Sequence, residues 1–157
     1  MNIVKATSSD YETILPLFQG LDDLHAHLDP ERFQPFSGPA RTKAAYDSYL
    51  DGEDRALFVA MVDGEAVGFV NLWIVDVEQQ RIHVGRRYAH LDNIYVSPSC
   101  RRNGLATALL RRAKDWCKEV DIHRIELQVY AANEDAIAWY DAHGFGVFLK
   151  RFQLDIE

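Results

Sequence analysis

The stretch that most constrains this chain covers residues 92–110. Ile94, Tyr95 and Val96 are β-branched or aromatic and predict a strand. Ser97-Pro98-Ser99 stops that strand, because proline cannot donate to a ladder. Arg101-Arg102-Asn103-Gly104 then leads straight into an apolar-periodic helix, with Leu105, Leu109, Ala113, Trp116 and Val120 on one face. A turn carrying two arginines and a glycine at a helix N-terminus suits a phosphate. The first-turn N–H groups lack intrahelical acceptors, the helix dipole favours an anion, and glycine lets the backbone approach closely.

The rest of the chain reads as alternating helical and extended segments without repeats, low-complexity tracts or linkers. Ile3-Val4-Lys5-Ala6 is a short first strand. Ser9 and Glu12 are spaced as a capping box before a stripe of Tyr11, Ile14, Leu15, Phe18 and Leu21. Pro16 falls inside that stripe and is expected to bend or interrupt it. The helical pattern continues over residues 22–27, and Asp29-Pro30 ends it. Residues 31–38 read as loop or short helix, and 42–50 as another helix. Residues 56–62 and 65–77 are strands joined by Asp63-Gly64, a two-residue turn of the hairpin type. Residues 78–87 form a polar loop or edge extension, and 88–96 the strand of the opening motif. Residues 124–130 alternate, with Ile125, Leu127 and Val129 on one side and Glu126, Gln128 and Tyr130 on the other. Asn133 caps a last helix that Gly144 ends, and residues 145–156 supply one or two final strands. The fold class that follows is α+β with a βαβ-like crossover.

Composition narrows the function. The chain has 157 residues, of which 48% are apolar, enough for one globular domain over residues 1–157. A net charge of −7 argues against nucleic acid as a partner and for weak attraction to cationic ones. No apolar run reaches the length of a membrane span, and residues 1–5 lack a signal-peptide core. Cys100 and Cys117 make neither a disulfide framework nor a metal set. A cytoplasmic location is the resulting expectation, with neither a membrane nor a metal involved.

Arg101-Arg102-Asn103-Gly104-Leu105-Ala106 resembles the Arg/Gln-x-x-Gly-x-Gly/Ala pyrophosphate loop of the GNAT N-acetyltransferase superfamily. Further on, Asn133 to Phe145 is similar to that family's Asn-x-x-Ala-x-x-x-Tyr-x-x-x-Gly-Phe pattern. Asn133 and Tyr140 lie two helical turns apart, on one face. The two motifs stand in the family's order, separated by a helix and a strand. The resemblance is close over residues 56–145 and holds only in outline over the first fifty. It implies the GNAT fold, a mixed sheet of six to seven strands flanked by about four helices, with the central strands splayed.

It also implies a reaction, direct acetyl transfer from acetyl-CoA to a primary amine through a tetrahedral intermediate. The pyrophosphate would be held by N–H groups from Arg102 to Thr107. Backbone groups of the central strand, Ile94, Tyr95 and Val96, would bind the pantetheine arm and polarise the thioester carbonyl. Asn133 would bond the pantetheine or simply cap its helix. Tyr140 resembles the family's proton donor, and a phenol of pKa about 10 is only slightly mismatched to a thiolate of about 8.5; the alternative is a core aromatic beside Trp139.

An amine near pKa 10 must also lose a proton before it attacks. Asp92, two residues before Ile94, is the first candidate base and Glu126 the second. Gln128 stands where the branch that acetylates ribosomal-protein N-termini carries a glutamate base, a departure that counts against that branch. His25 near the first helix and His90 on the strand are candidates to meet the acceptor. His90 shares a face with Asp92 unless a bulge breaks the alternation. The acceptor is a small-molecule or peptide amine. A homodimer through the edge near residues 82–87 or the C-terminal strands is compatible with the pattern. A second reading is a binding or sensor module that holds acyl-CoA without turnover.

Overall fold

The computed structural model describes residues 1–156. Its core is a five-stranded sheet in the order β1-β2-β3-β4-β5, formed by β1 (Asn2–Lys5), β2 (Arg55–Val62), β3 (Glu65–Val77), β4 (Arg86–Val96) and β5 (Ile125–Glu126). All neighbours are antiparallel except β4 and β5. Four α-helices accompany it: α1 (Tyr11–Leu28), α2 (Lys43–Ser48), α3 (Leu105–Glu119) and α4 (Glu134–Ala142). The sheet therefore has five strands where six to seven were expected. Residues 145–156 form no strand, and nothing among the described residues pairs with them.

β2 and β3 are buried on both faces, which their continuous apolar runs require. One face packs Leu57, Val59, Phe69 and Tyr95 against Ile14, Leu17, Phe18 and Leu21 of α1 and Tyr46 of α2. The other packs Phe58, Val70, Leu72 and Leu91 against Leu105, Leu109, Leu110, Ala113 and Trp116 of α3. Each fully buried Leu or Phe contributes roughly 1.5–3 kcal/mol. Asp63 and Gly64 take φ of 50° and 87°, as the tight turn between β2 and β3 demands.

Two local expectations are corrected. The capping box sits two residues earlier: Thr7 N–H donates to Asp10 Oδ2 at 2.7 Å, and a 3-10 turn, Ser8–Asp10, precedes α1. Pro16 does not interrupt α1. It falls early in the helix and forfeits one backbone bond, which the buried stripe on either side of it outweighs.

Candidate functional site

The site is built where β4 leaves β5. The two strands pair only at Ala89 with Ile125 and at His90 with Glu126. Above that point the sheet opens, and the β4 backbone from Leu91 to Val96 faces a notch on its β5 side while β3 holds its other side. Ser97 N–H bonds to Val67 O and Tyr95 pairs with Phe69, so the alternation of the ladder turns the Tyr95 backbone toward β3, against expectation, and leaves only Ile94 and Val96 with ladder groups on the notch side.

The turn after β4 stands at the head of this notch. Gly104 is the N-cap of α3 with φ 75° and ψ 3°, and no side chain caps the helix. Arg102 also has positive φ, 61°. The first helical bond is donated by Ala108 N–H to Gly104 O at 2.9 Å, so Leu105, Ala106 and Thr107 present free N–H groups. Asn103 and Arg102 are exposed beside them. Arg101 is placed otherwise: its Nε donates to Val96 O at 3.1 Å and its guanidinium lies 5.8 Å from the Tyr95 ring centroid. Its side chain braces the end of β4.

α4 brings the second motif alongside. Asn133 Oδ1 accepts from Ala136 N–H at 3.2 Å and caps the helix, which leaves its Nδ2 available. Tyr140 packs between Trp139 and Phe145, with ring centroids at 5.4 and 5.3 Å. Burial pushes its pKa up to about 12. Its hydroxyl has no protein partner among the described residues and is not sealed off, since no buried polar side-chain atom is left unpaired. His143 was not anticipated. Its Nδ1 lies 2.7 Å from the Trp139 carbonyl, to which it must donate, and Nε2 lies 3.0 Å from Thr107 Oγ1. His143 thus ties the end of α4 to the first turn of α3 and sets the phenol's helix relative to the free N–H groups. The available signal was its spacing of one turn from Trp139, but the Thr107 contact is invisible in sequence.

The notch floor carries the acidic groups. A register shift between Asn71 and Leu72 makes Asp92 the extra residue of a bulge in β4. As a result, Asp92 and Asn93, although consecutive, both meet Asn71. Asp92 Oδ2 accepts from Asn93 Nδ2 at 2.6 Å and from Asn71 Nδ2 at 3.1 Å, and Asn71 Oδ1 accepts from Asn93 Nδ2 at 3.1 Å. Asn71 is 1% exposed. A lone amide inside the apolar run Phe69-Val70-Asn71-Leu72-Trp73 was the signal for it, because a buried polar side chain requires partners. His90 packs on Trp73 with centroids 4.8 Å apart, and Glu126 lies opposite it across the β4–β5 pair. Arg124 Nη1 stands 3.9 Å from Glu126 Oε1.

His25, near the end of α1, stacks on Phe33 at 5.0 Å and meets Tyr130, which stands edge-on to Phe33 at 5.0 Å. Burial lowers the His25 pKa below its ordinary 6.5, with Asp22 opposing and Arg41 adding, so the ring is neutral at pH 7. Tyr130 follows Glu126 by four residues, beyond the end of β5. A hollow lined by Val4, Asp10, Thr13, Ile14, Val59 and Met61 lies at the β1 edge and contains none of these groups. No set of three metal-ligating side chains occurs among the described residues, nor any helix long and apolar enough to cross a membrane.

Comparison with known proteins bears on this geometry. The model of the acetyltransferase (GNAT) family matches residues 21–145. A Bacillus subtilis protein named as a ribosomal protein bS18-alanine N-acetyltransferase is 28% identical over 137 residues, 86% of this chain and 83% of that one. A mutant of the BH1408 protein from Bacillus halodurans superposes with a TM-score of 0.93 at 20% identity over 100% of both chains. The aminoglycoside N-acetyltransferase AAC(6')-Iy, in complex with CoA, superposes with a TM-score of 0.73 at 19% identity over 99% of both chains. Other curated relatives are named for acceptors as different as spermidine, thialysine, streptothricin and L-amino acids, and the chain spans 51% to 58% of their length. It spans 40% of the length of a Methanocaldococcus jannaschii N-acetyltransferase.

Proposed function

Because the chain belongs to the acetyltransferase (GNAT) family, we propose that it transfers an acetyl group from acetyl-CoA to a primary amine of a small molecule or peptide. The observation that carries this reading is the parting of β4 from β5 above His90 and Glu126, directly beneath the uncapped first turn of α3. The N–H groups of residues 102–107 hold the diphosphate, with Arg102 adding charge and Arg101 fixing the strand end behind it. The Ile94 backbone groups and the Val96 N–H on the notch side of β4 bind the pantetheine arm and stabilise the oxyanion of the tetrahedral intermediate. Asn133 Nδ2 reaches the same arm. The amine nitrogen bonds to the acetyl carbon, the carbon–sulfur bond breaks, and Tyr140 delivers its proton to the departing sulfur.

The amine proton goes to Asp92, whose carboxylate is fixed by Asn71 and Asn93 at the notch floor. Glu126 and His90 complete that floor, and His25 with Phe33 and Tyr130 lines the acceptor's approach. A cationic acceptor suits two carboxylates beside aromatic faces. With both cysteines free, the cytoplasm is the setting we assign to this single domain.

Thiol release from acetyl-CoA, followed over a panel of polyamines, amino acids and short peptides, tests the reading. At least one amine class is expected to raise release well above hydrolysis. Tight acetyl-CoA binding with no release on any amine would instead leave a binding module. With the best acceptor, Asp92→Asn is expected to lower kcat/KM by roughly 100-fold and to change the acid limb of its pH profile. A profile superimposable on that of the unaltered protein would remove Asp92 as the base.

A further inference from the structure

α4 carries the phenol, yet little holds it in place. None of its nine residues is fully buried. Trp139 and Phe145 pack, partly buried, against the α3 face of the core. Among the described residues, one hydrogen bond joins residues 134–145 to another element, and it lies between His143 and Thr107. A helix this short is marginal on its own, so its seat depends on those few contacts.

The hydrogens of that bond can be placed. Nδ1 of His143 lies 2.7 Å from the Trp139 carbonyl, which can only accept, so Nδ1 carries a hydrogen. In the neutral ring Nε2 then offers a lone pair, and the Thr107 hydroxyl, 3.0 Å away, donates to it. In the imidazolium the same contact persists with Nε2 as the donor, because a hydroxyl can also accept. The tie holds in either protonation state.

Both ends of the tie reach functional groups. Two peptide groups flank Tyr140, and His143 bonds each of them. Its Nδ1–H donates to the Trp139 carbonyl, and its backbone N–H donates to the Tyr140 carbonyl at 3.0 Å. The ring also lies against Trp139, with centroids 4.1 Å apart. At the other end, Thr107 is the third residue of α3, and its own N–H is one of the three left free there. A path of two side chains thus runs from the turn that would hold the diphosphate to the peptide groups on either side of Tyr140.

We propose that His143 is a positioning residue, which registers the Tyr140 helix on the cofactor-binding turn through the Thr107 hydroxyl. Thr107 serves twice, with its N–H toward the diphosphate and its hydroxyl toward His143. A cofactor anchored at α3 delivers its sulfur to a place set by that turn, and the phenol must meet it there; a misplacement of about 1 Å is enough to cost rate heavily. The effect on rate rests on acetyl transfer being the reaction, whereas the hold on α4 does not.

Thr107→Val is nearly isosteric, keeps the N–H and removes the hydroxyl. His143→Asn keeps a short donor for the Trp139 carbonyl and no longer reaches Thr107. With the best acceptor, each is expected to lower kcat about tenfold, while the Kd for acetyl-CoA by isothermal titration changes less than about twofold. Combined, they should lose no more than the worse single variant, because both break one bond. Thr107→Ser restores the hydroxyl and is expected to recover most of kcat. Amide hydrogen exchange on the ligand-free protein needs no turnover. Residues 137–142 should exchange about fivefold faster in Thr107→Val and His143→Asn but not in Thr107→Ser, with β2 and β3 unmoved. Unaltered protein that releases no thiol with any amine sinks acetyl transfer, and exchange alone then decides the tie. Exchange in α4 that neither variant moves overturns the proposal. So do kcat losses that multiply in the combined variant, or a Kd that worsens as much as kcat falls.

Discussion

Tyr140→Phe is expected to lower kcat for acetyl transfer by about 100-fold or more, with the KM for acetyl-CoA changed less than about twofold. The substitution removes one atom. The ring keeps its packing against Trp139 and Phe145, and the lost hydroxyl leaves no protein group unpaired. The melting temperature should therefore hold within a degree or two, because none of the mechanisms that cost several kcal/mol is engaged. That separates a chemical role from a packing role. A core aromatic beside Trp139 would tolerate Phe with full turnover, and such a result would take Tyr140 out of the mechanism.

The phenol's environment fixes the pH dependence. With its pKa pushed up to about 12, Tyr140 holds its proton at every pH from 6 to 9 and contributes no limb to the rate profile there. The donor is weaker than a solvated phenol, and transfer to a solvated thiolate of pKa about 8.5 would be well uphill. The cleft narrows that gap, since burial raises thiols as well as phenols. Cys117 in this same molecule is pushed up to about 11 by burial alone. A sulfur that leaves shielded from water is thus a better match for Tyr140 than the solution values suggest. An alkaline decline in kcat centred below pH 9 would have to be assigned elsewhere.

The parts of this fold that were legible are those whose signal is local. The β2–β3 hairpin could be read to within one residue, because two apolar runs flank a dipeptide that only a tight turn accommodates. α3 and its approach were legible for the same reason, with Pro98, Gly104 and the stripe from Leu105 to Trp116 acting within a few residues of one another. What failed depends on partners. Residues 145–156 have strand composition, but a strand is a property of a pair, and among the described residues they pair with nothing. The bulge at Asp92 arises from register with β3, so only the pairing reveals that Asp92 and Asn93 converge on Asn71. His143 meets Thr107 across 36 positions of sequence, and no motif spacing encodes that contact. The candidate site was therefore readable as a set of residues, while its supports, Asn71 and His143, were not.

Gly104→Val is expected to raise the Kd for acetyl-CoA at least tenfold while lowering the melting temperature by only a few degrees. The two effects have separate origins. At φ 75° a β-branched residue is strained by roughly 1–2 kcal/mol, worth about 2–8 °C in a chain of this size. A Cβ built on Gly104 meets nothing within 4 Å, so no steric clash adds to that strain. The emptiness is the reason for the larger loss. The open side of Gly104 is the side from which a diphosphate would approach the N–H groups of Leu105, Ala106 and Thr107, and a valine side chain occupies it. Strain relieved by backbone rotation would also turn those N–H groups away. Asn, which tolerates the left-handed region, separates the causes: Gly104→Asn should recover most of the stability and little of the affinity. Isothermal titration with CoA alone and with acetyl-CoA reads both. If both variants bound CoA as the unaltered protein does, the turn would be a conformational requirement of α3 with no part in holding the diphosphate, and the site would have to be sought away from the notch.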